Sequence, residues 1–178
     1  SNIDYSFNSI SVDGDTSTSD TVMIFATQEN KLINSLNRSI FFKSISLALK
    51  KVMTNLAKQI VCDGEGISKL IEVNVNNAAN KKQASKIAFS IAESLLVRTA
   101  VYGNDTNWGR IIAAIGKTFE KIDQSKFILK FGNYLVGKNG KASKNLNERK
   151  LKTYIKNKII KINLDLKLGK YNKTVWSS

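Results

Sequence analysis

Residues 160–168 constrain the fold more than any other stretch. Ile160, Ile162, Leu164, Leu166 and Leu168 alternate with Lys161, Asn163, Asp165 and Lys167. A period of two puts the apolar side chains on one face of a strand and the polar ones on the other. Such a strand needs neighbours to pair with and a second layer to bury its apolar face. Ile71, Val73 and Val75, alternating with Glu72 and Asn74, predict a second half-buried strand. Residues 127–131 and 134–136 predict a hairpin around Gly132-Asn133.

Between these strands the period changes. Phe41, Ile45, Leu49, Val52 and Leu56 recur at steps of three and four, which predicts a helix over 37–58 with those residues on one face. Asn37 or Ser39 could cap it. Ala84, Ile87, Ala88, Ile91 and Leu95 predict a second helix over 81–95. A third spans 110–115, capped by Asn107 and stopped near Gly116. Leu151, Tyr154 and Ile155 predict a short Lys-rich helix. Short apolar runs predict buried strands at 21–26, 60–62 and 100–102, and Ile10 and Val12 alternate with polar neighbours before a turn at Asp13-Gly14-Asp15. The Lys-, Asn- and Gly-rich stretch 137–149 predicts a mobile loop. Interleaved strands and helices define a mixed α/β class, with layered sheets covered by helices. No internal repeat or domain boundary is visible, so 1–178 reads as a single region.

Composition narrows the chemistry. The chain has no His and a single Cys, Cys62, which excludes a His-based triad, a His zinc site and an internal disulfide within it. Cys62 reads as a buried, inert thiol on a strand. No apolar run approaches the roughly 18 residues of a membrane span. The net charge is +14, which favours acidic partners. Only Arg38, Arg98, Arg110 and Arg149 are arginine, however, and Lys lacks the bidentate fork of nucleic-acid readers. Lys, Asn and Ile abundance without Pro also fits a composition bias.

Three segments invite a chemical reading. In Asp63-Gly64-Glu65-Gly66 the glycines permit a tight bend from which Glu65 projects, either as a solvated turn residue or as a carboxylate for an ammonium group. Asp13-Gly14-Asp15 fails as a calcium loop, because Thr18 stands where that loop needs Gly and no Glu closes it. Around Asn107-Trp108-Gly109-Arg110, a helix N-terminus with Arg110 could hold an anion; alternatively Trp108 packs and Arg110 forms a structural ion pair.

Four segments occur in a fixed order: Val12-Asp13-Gly14-Asp15-Thr16-Ser17-Thr18-Ser19, Asp63-Gly64-Glu65-Gly66, Asn107-Trp108-Gly109-Arg110 and Thr174-Val175-Trp176. Their flanks are Ser6-Phe7-Asn8, Ile60-Val61-Cys62 and Leu96-Val97-Arg98-Thr99-Ala100-Val101-Tyr102-Gly103. Together they resemble the β chain of ornithine acetyltransferases, also called glutamate N-acetyltransferases, over nearly the whole chain. Ser19 stands where the family usually has Asn, and Thr106 where it usually has Pro. The resemblance implies the ornithine acetyltransferase/aminopeptidase fold. It also implies a precursor that cleaves itself before a threonine, which becomes the N-terminal nucleophile of the β chain.

That threonine would take acetyl from N2-acetylornithine, and glutamate would receive it. No metal or bound cofactor is implied, and acetyl-CoA is possible as co-substrate. Glu65 occupies the place of a substrate-binding glutamate. Thr16, Thr18 and Thr21 are not at a chain N-terminus and are rejected as nucleophiles, so no catalytic residue is expected within 1–178. The nucleophile is expected upstream of Ser1 and a further segment after Ser178, with the chain a β-chain fragment truncated at both ends. The implied partners are the α chain of the same precursor, in an α2β2 heterotetramer, and the two amino-acid substrates, with neither nucleic acid nor membrane. The implied location is cytoplasmic. A noncatalytic nucleic-acid-binding domain and a degenerate paralogue are the alternatives.

Overall fold

The computed structural model describes residues 1–15, 19–27 and 38–178. Its strands are β1 (Ile10–Ser11), β2 (Leu70–Ala78), β3 (Ile128–Phe131), β4 (Tyr134–Lys138), β5 (Lys141–Ala142), β6 (Ile159–Asp165) and β7 (Tyr171–Ser177). They form one mixed sheet in the order β1-β7-β2-β6-β3-β4-β5. β2 pairs parallel with β6 and β1 parallel with β7, and the remaining pairs are antiparallel. The helices are α1 (Arg38–Cys62), α2 (Lys81–Ala92), α3 (Leu95–Tyr102), α4 (Trp108–Gly116) and α5 (Glu148–Tyr154).

The alternation in β2 and β6 does what its period requires. Ile71, Val73 and Val75 lie level with Ile160, Ile162 and Leu164 in the parallel ladder. With Val175 of β7 they bury against Ala84, Ile87, Ala88 and Ile91 of α2 and Ile111 and Ile115 of α4. Burying side chains of this size is worth roughly 1.5–3 kcal/mol each. The Asn80 side chain starts α2 by accepting from the Gln83 backbone N–H at 2.8 Å, while Gln83 Oε1 accepts from the Ala79 N–H at 2.9 Å. The β3–β4 turn falls at Gly132, whose φ is +54° and whose Cα faces the Tyr154 ring so closely that a Cβ would lie 2.7 Å from it.

The opposite face of the sheet carries the polar half of each strand. Glu72 stands level with Trp176 on one side and Lys161 on the other, and Asn74 with Thr174 and Asn163. α1 covers one corner of this face, where Val61 packs with Leu70 and Trp176.

Several sequence expectations change in the structure. α1 runs through Cys62, so 60–62 is helix and Cys62 is an exposed helix end rather than a buried strand residue. No helix breaker precedes Gly64, and a three-residue apolar run carries no period that separates strand from helix. Ser39 lies inside α1, and Asn37 is outside the described residues. The predicted apolar face of α1 is largely in water: Val52 is 56% and Leu56 46% exposed, while Met53, Ala57 and Val61 seat the helix.

Residues 100–102 are also helical. α2 stops at Ala92, and Ser94 caps α3 by accepting from the Val97 N–H at 3.4 Å. Residues 21–26 form no strand, and Phe25 is 83% exposed. Part of 137–149 is ordered as the ends of β4, β5 and α5. β7, read only as a motif, is a strand between β1 and β2.

Candidate functional site

α1 delivers the chain to a bend at residues 63–66, and β2 takes it away again. Gly66 has φ +71°, a conformation that strains any residue with a Cβ. Glu65, between the two glycines, is exposed on the rim of an open recess of about 330 Å³. Val12, Gly64, Glu65, Gly66, Ile67, Tyr102 and Ser178 line it. Four stretches far apart in sequence therefore meet there. Val12 belongs to the first segment, Glu65 to the second, Tyr102 to the flank of the third, and Ser178 follows β7.

The walls are fixed by hydrogen bonds. Ser11 pairs with Ser177, which places Val12 and Ser178 just beyond the β1–β7 ladder. Asp15 N–H donates to Asp13 Oδ1 at 2.8 Å and closes the turn after Val12. Tyr102 Oη approaches Lys69 O at 3.4 Å. Lys69 is buried, and its ammonium donates to Val101 O at 3.0 Å, Asn104 Oδ1 at 2.7 Å and Ile155 O. It thus joins the ends of α3 and α5 beneath the bend. Burial pushes its pKa below the ordinary lysine value.

Beside α1, Glu72 gathers a second polar group. It accepts from Trp176 Nε1 at 3.0 Å and Asn74 Nδ2 at 3.2 Å, and Lys58 and Lys161 each lie 3.4 Å from it. Burial pushes its carboxyl pKa up. The hydrogen bonds from Trp176 and Asn74, with the two ammonium groups, outweigh that and hold it below the ordinary value. Lys58 Nζ also sits 4.7 Å from the Trp176 ring centroid. Both carboxylate oxygens of Glu72 are engaged, so this cluster fixes α1 and β7 against β2.

The segment Asn107-Trp108-Gly109-Arg110 stands away from the recess. Trp108 packs on the core and over Gly137. Arg110 donates to Leu96 O at 2.9 Å and Thr99 Oγ1 at 3.0 Å, so among the described residues a carbonyl and a hydroxyl hold it, not an ion pair. Asn107 occupies the cap position of α4 but its side chain makes no capping bond. Thr16 and Thr18 lie outside the described residues.

The ArgJ family model matches residues 1–178. The chain belongs to the ArgJ family. It is 43% identical over 173 residues to the arginine biosynthesis bifunctional protein ArgJ of Bartonella henselae, covering 97% of this chain and 42% of that protein. It is 38% identical over 174 residues to the protein of the same name from Caulobacter vibrioides, covering 96% of this chain and 43% of the relative. The chain thus spans less than half the length of these relatives. The crystal structure of arginine biosynthesis bifunctional protein ArgJ from Bacillus halodurans superposes with a TM-score of 0.84 at 37% identity, over 99% of this chain and 83% of that one. The mixed α/β class is that of this ArgJ structure.

Sequence reasoning singled out Glu65 but not its neighbours. Val12, Tyr102 and Ser178 stand in no pattern that marks a site, and Tyr102 was visible only in a flanking string and in the strand expected over 100–102. Lys69 and Glu72 sit among many other charged residues, and only their burial distinguishes them.

Proposed function

We propose that this chain is part of a cytoplasmic enzyme of arginine biosynthesis that moves acetyl from N2-acetylornithine to glutamate. The observation that carries this reading is one recess that joins Val12 of the first family segment, the Gly64–Gly66 bend of the second and Tyr102 of a flank, with Glu65 at its rim. A carboxylate there suits an amino-acid substrate, whose ammonium group it can receive. The nucleophile is a threonine outside residues 1–178. Its hydroxyl attacks the acetyl carbonyl and passes its proton to the threonine's own α-amino group. The carbon–nitrogen bond breaks, and ornithine leaves with that proton. The glutamate amine then attacks the acetyl ester and restores the hydroxyl. Acetyl-CoA is a possible second donor, and no bound cofactor takes part.

The remainder of the protein, an α chain cut from the same precursor, supplies the oxyanion donors and assembles as α2β2. The exposed apolar stripe of α1, with Ile45, Val52, Leu56 and Ile60, supports a covering partner of this kind, because a soluble surface rarely leaves so much apolar area bare.

The test is the complete protein given acetylornithine without acceptor. One acetyl group should appear on a threonine outside 1–178, detected by peptide mass, and leave when glutamate is added. Glu65→Gln should raise the KM for acetylornithine about 10-fold or more, the loss of a charge-assisted contact, with the thermal midpoint unchanged. An unmodified protein, or activity and stability falling together in Glu65→Gln, would sink the reading.

A further inference from the structure

Arg98 lies on α3 one turn before Tyr102, on the same side of the helix. Its side chain is half-buried and makes two backbone contacts that are not local. Nε donates to Ala92 O at 2.9 Å, and Nη1 donates to Val12 O at 2.7 Å. Ala92 O also accepts from Ser177 Oγ at 3.0 Å. One carbonyl at the end of α2 therefore anchors both strands of that rim, β1 through Arg98 and β7 through Ser177. Another wall is the bend that carries Glu65, and α3 bonds to Lys69 just after it, through Tyr102 Oη and through Val101 O. α3 is thus bonded at or beside both walls. On the Val12 side the bond is a single guanidinium.

We propose that Arg98 is a positioning residue of the Glu65 recess: by gripping the Val12 main chain it sets the width across which a substrate must reach Glu65. It touches no reacting atom. Its planar, forked guanidinium serves Ala92 O through Nε and Val12 O through Nη1, two donors held in a fixed geometry that a lysine ammonium lacks. The inference rests on the acetyl-transfer reading for its substrate but not for its geometry, so its test reads both.

In the complete protein, Arg98→Met and Arg98→Lys are compared with Val97→Ala, a buried neighbour on α3 whose side chain faces the core. Backbone hydrogen exchange at residues 11–14 and the steady-state kinetics with acetylornithine are measured alongside thermal midpoints. Arg98→Met should accelerate exchange at 11–14 and raise the KM for acetylornithine, each about 10-fold, as expected for losing a charged hydrogen bond. kcat should change less than KM, and Arg98→Lys should recover part of both effects. Val97→Ala should lower the midpoint without either effect.

Exchange that stays within twofold of the parent in Arg98→Met overturns the proposal. So does faster exchange with an unchanged KM, or a KM shift that Val97→Ala reproduces at equal loss of stability. A parent protein that transfers no acetyl group refutes the functional reading instead, and the exchange comparison alone then decides whether Arg98 holds the rim.

Discussion

Glu72 shows how one half-buried carboxylate can be worth more to the fold than its exposed counterparts. Its side chain is 12% exposed and accepts from a tryptophan, an asparagine and two ammonium groups. Its folded-state pKa is depressed. The stabilisation is therefore fully present above the unfolded value, about 4.3 for Glu, and is lost as pH falls through the folded value. Glu72→Gln should destabilise the complete protein by about 1–2 kcal/mol at pH 7, measured by thermal unfolding. The gap between parent and variant should close below about pH 4. A gap that stays constant from pH 7 to pH 3 would show that shape, not charge, is what Glu72 contributes. Glu65 is the contrast: it is exposed, its carboxylate has no such contact among the described residues, and it is available to a ligand.

At the level of elements, α1 carries a long apolar stripe that the described residues leave exposed. It seats on the sheet through Met53, Ala57 and Val61, yet its more regular apolar stripe points to solvent. If the rest of the protein covers that stripe, Leu56→Ala should behave as a core truncation and cost about 2–5 kcal/mol in the complete protein. If the stripe stays bare, the cost should be within about 0.5 kcal/mol. Thermal unfolding separates the two. The same helix shows where sequence reading works and where it stops. The apolar period identified α1 but not which of two adjacent stripes meets the sheet, since both satisfy the spacing. β2 and β6 were legible because alternation has one buried face and one solution. α3 was not, because Val97, Ala100 and Val101 form too short a run to show a helical period, and its start depends on a Ser94 cap that looks like any other serine. Glu65 was legible as part of a family segment. Arg98 was visible in a flanking string, but its role was not, since its partners are carbonyl oxygens and any residue type supplies those.

Over the whole molecule the net charge is +14, much of it on exposed lysines. Lys138, Lys141, Lys144, Lys150, Lys152 and Lys156 are exposed around β5 and α5, whereas Lys161 and Lys167 are engaged with Glu72 and Asp165. Diffuse exposed charge attracts polyanions weakly and is screened by salt. Random duplex DNA should therefore bind at low ionic strength and release near physiological salt, while acetylornithine or glutamate should raise the thermal midpoint of the complete protein. Submicromolar DNA affinity at physiological salt, with no response to either amino acid, would reverse the ranking of partners. The recess has a different dependence on the whole chain. Its walls come from residues 12, 64–67, 102 and 178, so no local hairpin or helix pair contains it. Closing such long loops is the slow part of folding, because their entropy is lost before any contact offsets it. A chain that can hold a ligand in this recess has therefore already brought those four distant stretches together.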